Sequence, residues 1–224
     1  MKIKYFIAKR RVDASPVIKR ALPLLKGSVG IITTIQYLHL LPEIKRILGK
    51  NKIKSKILGQ ILGCNTKVVD NSKCDTILYF GDGDFHPKAM ARRKEKLNVV
   101  IANPENNAAR KLNEEEIKTF EERRYAGLAK FFSSKNIGIL VTLKPGQEHL
   151  DAALKFKKKF YDKTCFVLLF DDLNFSSLED FPFIECFVNT MCPRIAYDDF
   201  SKFPKAVVDI HDVLEAEKER KKRK

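Results

Sequence analysis

The chain has 224 residues, of which 44% are hydrophobic and 32% charged, close to the usage of ordinary globular proteins. These proportions exclude wholesale disorder and allow one large domain or two small ones. No apolar run reaches the roughly 18–20 residues that a membrane-spanning helix needs. The N-terminal sequence MKIKYFIAKRR is too short and too charged for a secretory signal, so we expect a cytoplasmic protein that does not associate with membranes.

The predicted elements alternate between strands and helices along the chain. A helix begins at Ser15 and Pro16, an N-cap and first-turn pair, and Pro23 is expected to kink or shorten it. Further helices are predicted at 40–48, 113–133 and 147–161 from their apolar periodicity and acidic first turns. Continuous apolar runs predict buried parallel strands at 3–8, 29–35, 53–58, 76–80, 98–102, 137–142, 165–170 and 186–189.

This alternation predicts an α/β fold with two similar parallel-sheet βαβ domains flanked by helices. We expect the first domain at 1–112, and the second, with its connecting helix, at 113–210. Residues 211–224 are expected to form a charged, basic tail, because few apolar residues remain there to be buried.

The net charge of +15 is the unusual bulk property of the sequence. Six of the last seven residues, KERKKRK, are basic. A basic surface favours phosphate-rich partners such as RNA or ribonucleoprotein, so a non-enzymatic RNA- or ribosome-binding protein or scaffold remains an alternative. In an enzyme, contact with nucleic acid would be secondary.

Five cysteines occur at irregular spacing, without a CxxC pair. The odd count argues against a disulfide framework, and the missing pair against a zinc ribbon. Cys165 and Cys186 lie in apolar strand runs, where thiols are packed and inert, and Cys74 has no assigned role. Cys64 and Cys192 instead lie on predicted loops, although a single such cysteine is more often a small buried hydrophobe than a ligand.

Four predicted loops follow the carboxyl ends of strands, where reactive groups collect in parallel sheets. Two contain the cysteines, in GQILGCN (59–65) and MCPR (191–194). GDGDFHP (81–87) combines two aspartates with His86, and KPGQ (144–147) offers Lys144 and Gln147. Alternatively, the third loop is a surface turn and the fourth merely begins a helix.

Taken together, these motifs resemble those of the diphthamide-synthesis family, the archaeal-type 2-(3-amino-3-carboxypropyl)histidine synthases. The similarity runs from about residue 2 to 208. It is carried by TTIQYLHLLPEIKRIL (33–48), GQILGCN (59–65), YFGDGDFHP (79–87), TLKPGQ (142–147) and NTMCPRIAYDD (189–199).

The resemblance implies three similar α/β domains, each giving one cysteine to a shared [4Fe–4S] cluster whose fourth iron binds S-adenosylmethionine. Cleavage of S-adenosylmethionine releases a 3-amino-3-carboxypropyl radical, which adds to a histidine of translation elongation factor 2 in the first step of diphthamide synthesis. By the same resemblance, Cys64 matches the ligand of the middle domain and Cys192 that of the last. Arg194 would neutralise the methionine carboxylate, and His86, Lys144 and Gln147 would line the same pocket.

The family's first domain, with its own cluster cysteine, has no match in this sequence. Three explanations remain open. The first domain is a separate polypeptide from a split gene, a homologous partner or a second copy completes the site, or the chain is a degenerate subunit without catalysis. Because both remaining cysteine motifs are intact, the sequence favours a split or partnered enzyme.

Overall fold

Two α/β units make up the chain, Met1–Lys118 and Thr119–Lys224, which are called the N-terminal and C-terminal units below. The computed structural model describes residues 4, 6, 8–62, 67–70, 72–91 and 97–222. Among those residues, no helix is both long enough and apolar enough to cross a membrane.

The sheet of the N-terminal unit has the order β2-β1-β3-β4-β5. Its first four strands are parallel, and β5 pairs antiparallel with β4. The central strands β1 and β3 are buried along their whole length, as expected for strands covered on both faces. The strands are β1 (Val29–Thr33), β2 (Ser55–Gln60), β3 (Thr76–Phe80), β4 (Asn98–Asn103) and β5 (Ala108–Lys111).

Helices cover both faces of this sheet. On one face, α1 (Ser15–Ala21) and α2 (Leu41–Lys50) bury Ile18, Ile44 and Leu48 against β1 and β3. On the other, Met90 of α3 (Phe85–Ala91) packs with residues of β3 and β4. The helix α4 (Glu114–Ser133) begins in this unit and continues into the next.

The C-terminal unit has a fully parallel sheet in the order β7-β6-β8-β9. Its strands are β6 (Asn136–Thr142), β7 (Thr164–Phe170), β8 (Cys186–Asn189) and β9 (Val207–Asp209). Its remaining helices are α5 (Leu150–Lys159), α6 (Arg194–Tyr197) and α7 (Ile210–Lys222). Residues of α4, α5 and α7 cover one face of the sheet, and a cluster rich in phenylalanine covers the other.

Helix α4 lies unusually close to β9. A Cβ atom added at Gly127 would be 2.8 Å from the carbonyl oxygen of Val207. Only glycine permits this approach without displacing the backbone of β9.

The α/β class with two mostly parallel sheets is confirmed, and most of the predicted strands recur within two residues. The helix that begins at Ser15 ends at Ala21 and continues as a 3-10 turn containing Pro23, so the proline shortens it as expected. The strand expected at 29–35 ends at Thr33 because a 3-10 helix, Ile35–Leu40, follows it. Of the strand expected at 3–8, the described residues 4, 6 and 8 have no regular secondary structure.

Other elements differ from expectation. The sequence did not predict β5, whose four residues include the charged Arg110 and Lys111, or β9, which has only three residues. The segment 81–87, expected as a loop, already contains the start of α3. The charged tail expected at 211–224 is helical over its described residues 211–222 and forms most of α7, in which Ile210 and Val213 pack into the core of the C-terminal unit.

Candidate functional site

In each unit, the second strand along the chain joins the sheet on one side of the first strand, and the third strand joins it on the other side. In the C-terminal unit, β7 lies on one side of β6 and β8 on the other, so the binding crevice typical of such sheets is expected between the carboxyl ends of β6 and β8. The loops that contain Lys144 and Cys192 leave these two strands. In the N-terminal unit the corresponding crevice lies between β1 and β3, and the loop leading to His86 leaves β3.

The buried side chain of Asn189 holds the loop that contains Cys192. The Asn189 side chain, with no exposed surface, donates hydrogen bonds to the carbonyl oxygen of Cys192 (3.0 Å) and to a carboxylate oxygen of Asp209 (3.2 Å). Its own oxygen accepts one from the backbone N–H of Met191 at 3.2 Å. Cys192 itself is partly exposed. A fixed loop therefore presents a thiol at the rim of the crevice.

Buried acids hold the elements on either side of this loop. Asp209 accepts a hydrogen bond from the backbone N–H of His211 at 2.9 Å, so it joins the Asn189 side chain to the first turn of α7. Asp212, 1% exposed, accepts hydrogen bonds from Arg124 of α4 (3.0 Å) and from the hydroxyl of Tyr197 of α6. Helix α6, which begins two residues after Cys192, is thus anchored to α4 and α7.

Arg194 lies at the start of α6 with an exposed side chain. Its guanidinium donates a hydrogen bond to Asp198 at 2.7 Å, an ion pair one turn along the helix. The hydrogen bond to Asp198 raises the pKa of Arg194, and the neighbouring Cys192 makes a smaller contribution in the same direction. Arg194 and Cys192 are therefore close enough to interact electrostatically.

The loop after β6 is an ordered turn. Gly146 has a φ of +80°, and the N–H of Gln147 donates to the carbonyl of Lys144 at 3.0 Å. The Lys144 ammonium forms an ion pair with Asp172, which follows β7, and this hydrogen bond raises the pKa of Lys144. Gln147 is exposed. Lys144 and Gln147 thus lie at the strand end next to that of Cys192 and Arg194.

His86 belongs to the N-terminal unit and contacts Tyr79 at the end of β3. The two rings stack at a centroid distance of 5.9 Å, and Nδ1 of His86 lies 3.5 Å from the Tyr79 hydroxyl. That hydroxyl donates to the carbonyl of Asp82 at 2.9 Å. A Cβ at Gly81 would come within 2.8 Å of the same hydroxyl, which accounts for the glycine.

The aspartates of the same loop do not form a metal site. Asp84 forms ion pairs with Arg110 at 2.7 Å and with Lys88 at 3.9 Å, so its carboxylate is engaged by cations. Across the described part of the chain, no group of three or more histidine, cysteine or carboxylate side chains is placed to hold a metal ion.

The described cysteines divide into buried and accessible ones. Cys74, Cys165 and Cys186 are buried, and burial raises the pKa of Cys186 to about 12. Cys192 is the partly exposed member of this group, and Cys64 lies outside the described residues. Because iron–sulfur iron binds thiolates, the accessible Cys192 fits a cluster ligand and the buried thiols do not.

Sequence reasoning missed the residues that support Cys192, namely Asn189, Asp209 and the trio Arg124, Tyr197 and Asp212. Asp209 and Asp212 could have been noticed in the sequence, because both interrupt the apolar run VVDIHDVL. Both are buried in the structure. Asn189 is the first residue of the matched motif NTMCPRIAYDD.

Comparison with known proteins identifies the family. The whole chain, residues 1–224, matches the family model described as "Putative diphthamide synthesis protein". The chain therefore belongs to the diphthamide synthesis family.

Its relatives include enzymes with a defined name. The chain is 31% identical over 200 residues to the 2-(3-amino-3-carboxypropyl)histidine synthase of Pyrococcus horikoshii, covering 84% of this chain and 57% of the relative. It is 30% identical over 189 residues to the synthase of Methanocaldococcus jannaschii, covering 80% of this chain and 48% of that protein. The chain thus spans about half the length of these relatives.

The fold is also shared with a solved structure. The crystal structure of Dph2 from Pyrococcus horikoshii with a 4Fe-4S cluster superposes with a TM-score of 0.76 at 27% identity. The match covers 92% of this chain and 62% of that one.

Proposed function

We propose that this chain is a subunit or a part of an iron–sulfur enzyme of diphthamide biosynthesis. It would transfer a 3-amino-3-carboxypropyl group from S-adenosylmethionine to a histidine of translation elongation factor 2. The observation that carries the proposal is the thiol of Cys192, partly exposed at the crevice on a loop that the buried Asn189 side chain holds in place. Solvent access suits a metal-binding thiolate, and the buried support suits a fixed ligand position.

A [4Fe–4S] cluster would be held by Cys192 and Cys64, with the third ligand supplied from outside the chain. When bound, the cluster supplies the redox chemistry that cleaves S-adenosylmethionine. Three thiolates would leave one iron for that substrate. Since the chain spans 57% and 48% of its two archaeal relatives, a homologous or split-gene partner would supply the remaining ligand, or a second copy would do so.

The polar residues of the crevice would bind and orient S-adenosylmethionine. Arg194 would bind the methionine carboxylate, exchanging the carboxylate of Asp198 for that of the substrate. Lys144, held by Asp172, and Gln147 lie on the neighbouring strand end and would contact other polar groups of the substrate. His86, stacked on Tyr79, is the candidate from the N-terminal unit.

The first test is cluster assembly. The chain is reconstituted with iron and sulfide under anaerobic conditions, alone and co-expressed with the family's first domain. We expect brown protein with charge-transfer absorbance in the co-expressed sample, and loss of that absorbance in Cys192→Ala and in Cys64→Ala. Cys186→Ala is the matched control, because this buried thiol should not bind iron. A colourless wild-type complex, or a coloured Cys192→Ala complex, contradicts the proposal.

The second test is group transfer. The reconstituted complex is incubated with S-adenosylmethionine and elongation factor 2, and mass spectrometry locates any added 3-amino-3-carboxypropyl group on histidine. Arg194→Ala should raise the KM for S-adenosylmethionine by roughly tenfold or more, because a charge-assisted hydrogen bond is lost. A complex that binds the cluster but modifies no histidine would overturn the assignment of the reaction and leave that of the cluster intact.

We also propose a weaker contact with nucleic acid through the basic end of α7, at a cytoplasmic location. Lys218, Arg220, Lys221 and Lys222 lie exposed on the last turns of this helix. Binding of a ribosomal RNA fragment should weaken steeply with salt and should decline when these residues are removed. Salt-independent binding would argue against this contact.

A further inference from the structure

A cleft of about 270 Å³ lies between α5 and α7 in the C-terminal unit, next to the carboxyl end of β8. Apolar side chains of Phe156, Ile210 and Leu214 form its floor. Phe156 is 2% exposed and Ile210 5%, so the core of the unit fixes the floor in place. The volume is close to the lower end of the range for small-molecule sites, about 300–1,000 Å³. The cleft is therefore a candidate binding site, and the proposed transfer reaction does not use it.

The rim of the cleft carries four basic side chains and, among the described residues that border it, no acidic one. Lys155 and Lys159 belong to α5, His149 precedes that helix, and His211 lies at the start of α7. All four residues are exposed. The two lysines are one turn apart on the same helix, a spacing at which like charges repel each other. An anion bound between the two ammonium groups would relieve this repulsion.

The acidic side chains near these helix starts have other partners or lie outside the cleft. Glu148 accepts a hydrogen bond from a backbone N–H in the first turn of α5 at 2.8 Å, and Glu215 of α7 pairs with Arg124 at 3.2 Å. Asp151, one turn before Lys155, is exposed and does not border the cleft. The positive charge of the rim is therefore available to a ligand that brings its own negative charge.

We propose that this cleft binds a nucleoside phosphate, either a free nucleotide or a nucleotide of a single-stranded RNA. The base would cover the apolar floor, because both surfaces gain free energy when they leave water. The phosphate would lie between Lys155 and Lys159, whose ammonium groups donate charge-assisted hydrogen bonds to its oxygens. A ligand of this class uses the floor and the rim at once, whereas a purely apolar or a purely anionic ligand would use only one of them.

The charge of the cleft distinguishes it from the site proposed for S-adenosylmethionine. That substrate carries a sulfonium and an ammonium group against one carboxylate, so its net charge is positive and a basic rim disfavours it. The described residues that border the cleft also do not include Cys192, Arg194, Lys144 or Gln147. Binding of a nucleoside phosphate here would need neither the cluster nor the transfer reaction, so it stands independently of both.

The first experiment measures the dissociation constant of AMP for the full chain by isothermal titration calorimetry, without iron or sulfide. The double variant Lys155→Gln with Lys159→Gln should raise this constant roughly tenfold or more, because the phosphate loses its cationic partners. Lys157→Gln with Lys158→Gln is the matched control. It makes the same change in net charge on the same helix, outside the cleft, and should leave the constant unchanged. A wild-type chain that does not bind AMP, or equal constants in the two double variants, overturns the proposal.

The second experiment separates the contributions of the floor and the rim. Adenosine and inorganic phosphate should each bind at least roughly tenfold more weakly than AMP, because each contacts only one part of the cleft. Ala152→Trp introduces a large ring at an exposed position of α5 that borders the cleft, and it should abolish AMP binding without changing thermal unfolding. If adenosine or phosphate binds as tightly as AMP, or if S-adenosylmethionine displaces AMP at equal concentration, the assignment of the ligand class is wrong.

A third experiment distinguishes a free nucleotide from a nucleotide of RNA. Lys218 lies exposed on α7, two turns after His211, so the next phosphates of a bound strand would reach it. If RNA is the source, a short oligoadenylate should bind more tightly than AMP, and Lys218→Gln should weaken the oligoadenylate and leave AMP unaffected. Equal constants for AMP and the oligoadenylate support a free nucleotide. An oligoadenylate that binds the double variant of Lys155 and Lys159 as tightly as the wild type excludes RNA as the ligand of the cleft.

Discussion

The side-chain amide of Asn189 donates a hydrogen bond to the main-chain carbonyl of Cys192 at 3.0 Å, from a position with no exposed surface. The asparagine ends β8, and the cysteine lies three residues further on, so the strand end itself determines where the loop carries its thiol. Through Asp209, the same side chain extends this support to β9 and α7.

Replacing Asn189 by alanine should destabilise the C-terminal unit and release the loop. The change leaves the carbonyl of Cys192, the N–H of Met191 and one oxygen of Asp209 without these hydrogen bonds, at a cost of about 2–3 kcal/mol. Urea denaturation measures the loss of stability. Alkylation of Cys192 under native conditions should become faster, while alkylation of the buried Cys186 should not.

The matched control is Asn51→Ala. The Asn51 side chain makes one hydrogen bond, to Ile47 at the end of α2, and the expected loss is about 1 kcal/mol or less. Equal losses of unfolding free energy in Asn189→Ala and Asn51→Ala would show that the hydrogen bonds of Asn189 contribute no more than the single one of Asn51.

Gly127→Ala should lower stability by about 1–3 kcal/mol, because the new methyl group would lie 2.8 Å from the carbonyl oxygen of Val207. Helix α4 must then move away from β9. Gly49→Ala in α2 serves as the control, since nothing lies within 4 Å of its added Cβ. There, alanine should stabilise the helix by about 0.5–1 kcal/mol. Thermal unfolding of both variants measures the contrast, and a stabilised Gly127→Ala protein would contradict the close packing.

Cys186 should make stability fall at alkaline pH. Burial raises its pKa to about 12, whereas in the unfolded chain the thiol titrates at its ordinary value near 9. The stabilising contribution is complete below the unfolded value and is lost as pH rises through the interval up to the folded value. The loss approaches about 1.4 kcal/mol per pH unit within that interval.

Comparison with Cys186→Ala isolates this contribution from other titrating groups. The free energy of unfolding is measured for both proteins by urea denaturation from pH 8 upwards, with a reductant present. The variant should show a shallower decline than the wild type. Parallel curves would mean that the thiol ionises equally well in the folded and unfolded chains.

Removing only one member of the ion pair between Arg124 and Asp212 should strongly lower the free energy of unfolding. Asp212→Leu leaves the guanidinium of Arg124, 9% exposed, without its most buried acceptor, and removes the partner of the Tyr197 hydroxyl. A loss of about 3–5 kcal/mol is expected. The double variant Arg124→Met with Asp212→Leu should recover much of it, because no buried cation remains.

A double-mutant cycle by urea denaturation measures this coupling. If the losses of the two single variants simply add in the double variant, Arg124 and Asp212 do not act as a pair.

Much of the fold could be predicted because its central strands are uninterrupted apolar runs. VGIIT of β1 and TILYF of β3 are buried at every position, and such runs are visible in the sequence alone. β9 was missed because three residues cannot show a period, and its burial depends on α4 approaching through Gly127.

The sequence could suggest candidate site residues only where they are close together along the chain. Cys192 and Arg194 share a short motif, whereas the side chains that support them come from distant parts of the chain. Arg124 and Asp212 are 88 residues apart, and Asn189 and Asp209 are 20 apart. Neither pair can be recognised in the sequence, because only folding brings the two residues together in a common core. Burial there is what makes each polar side chain require a partner.

The two sheets repeat one strand order, β2-β1-β3-β4 in one unit and β7-β6-β8-β9 in the other. By this equivalence the loop of Gly81 and His86, after β3, corresponds to the loop of Cys192, after β8, whereas Cys64 follows β2, the counterpart of β7. The two units thus share a strand order, whereas their candidate site residues follow strands that do not all correspond. The ligand position proposed in one unit therefore cannot be deduced by superposing the other.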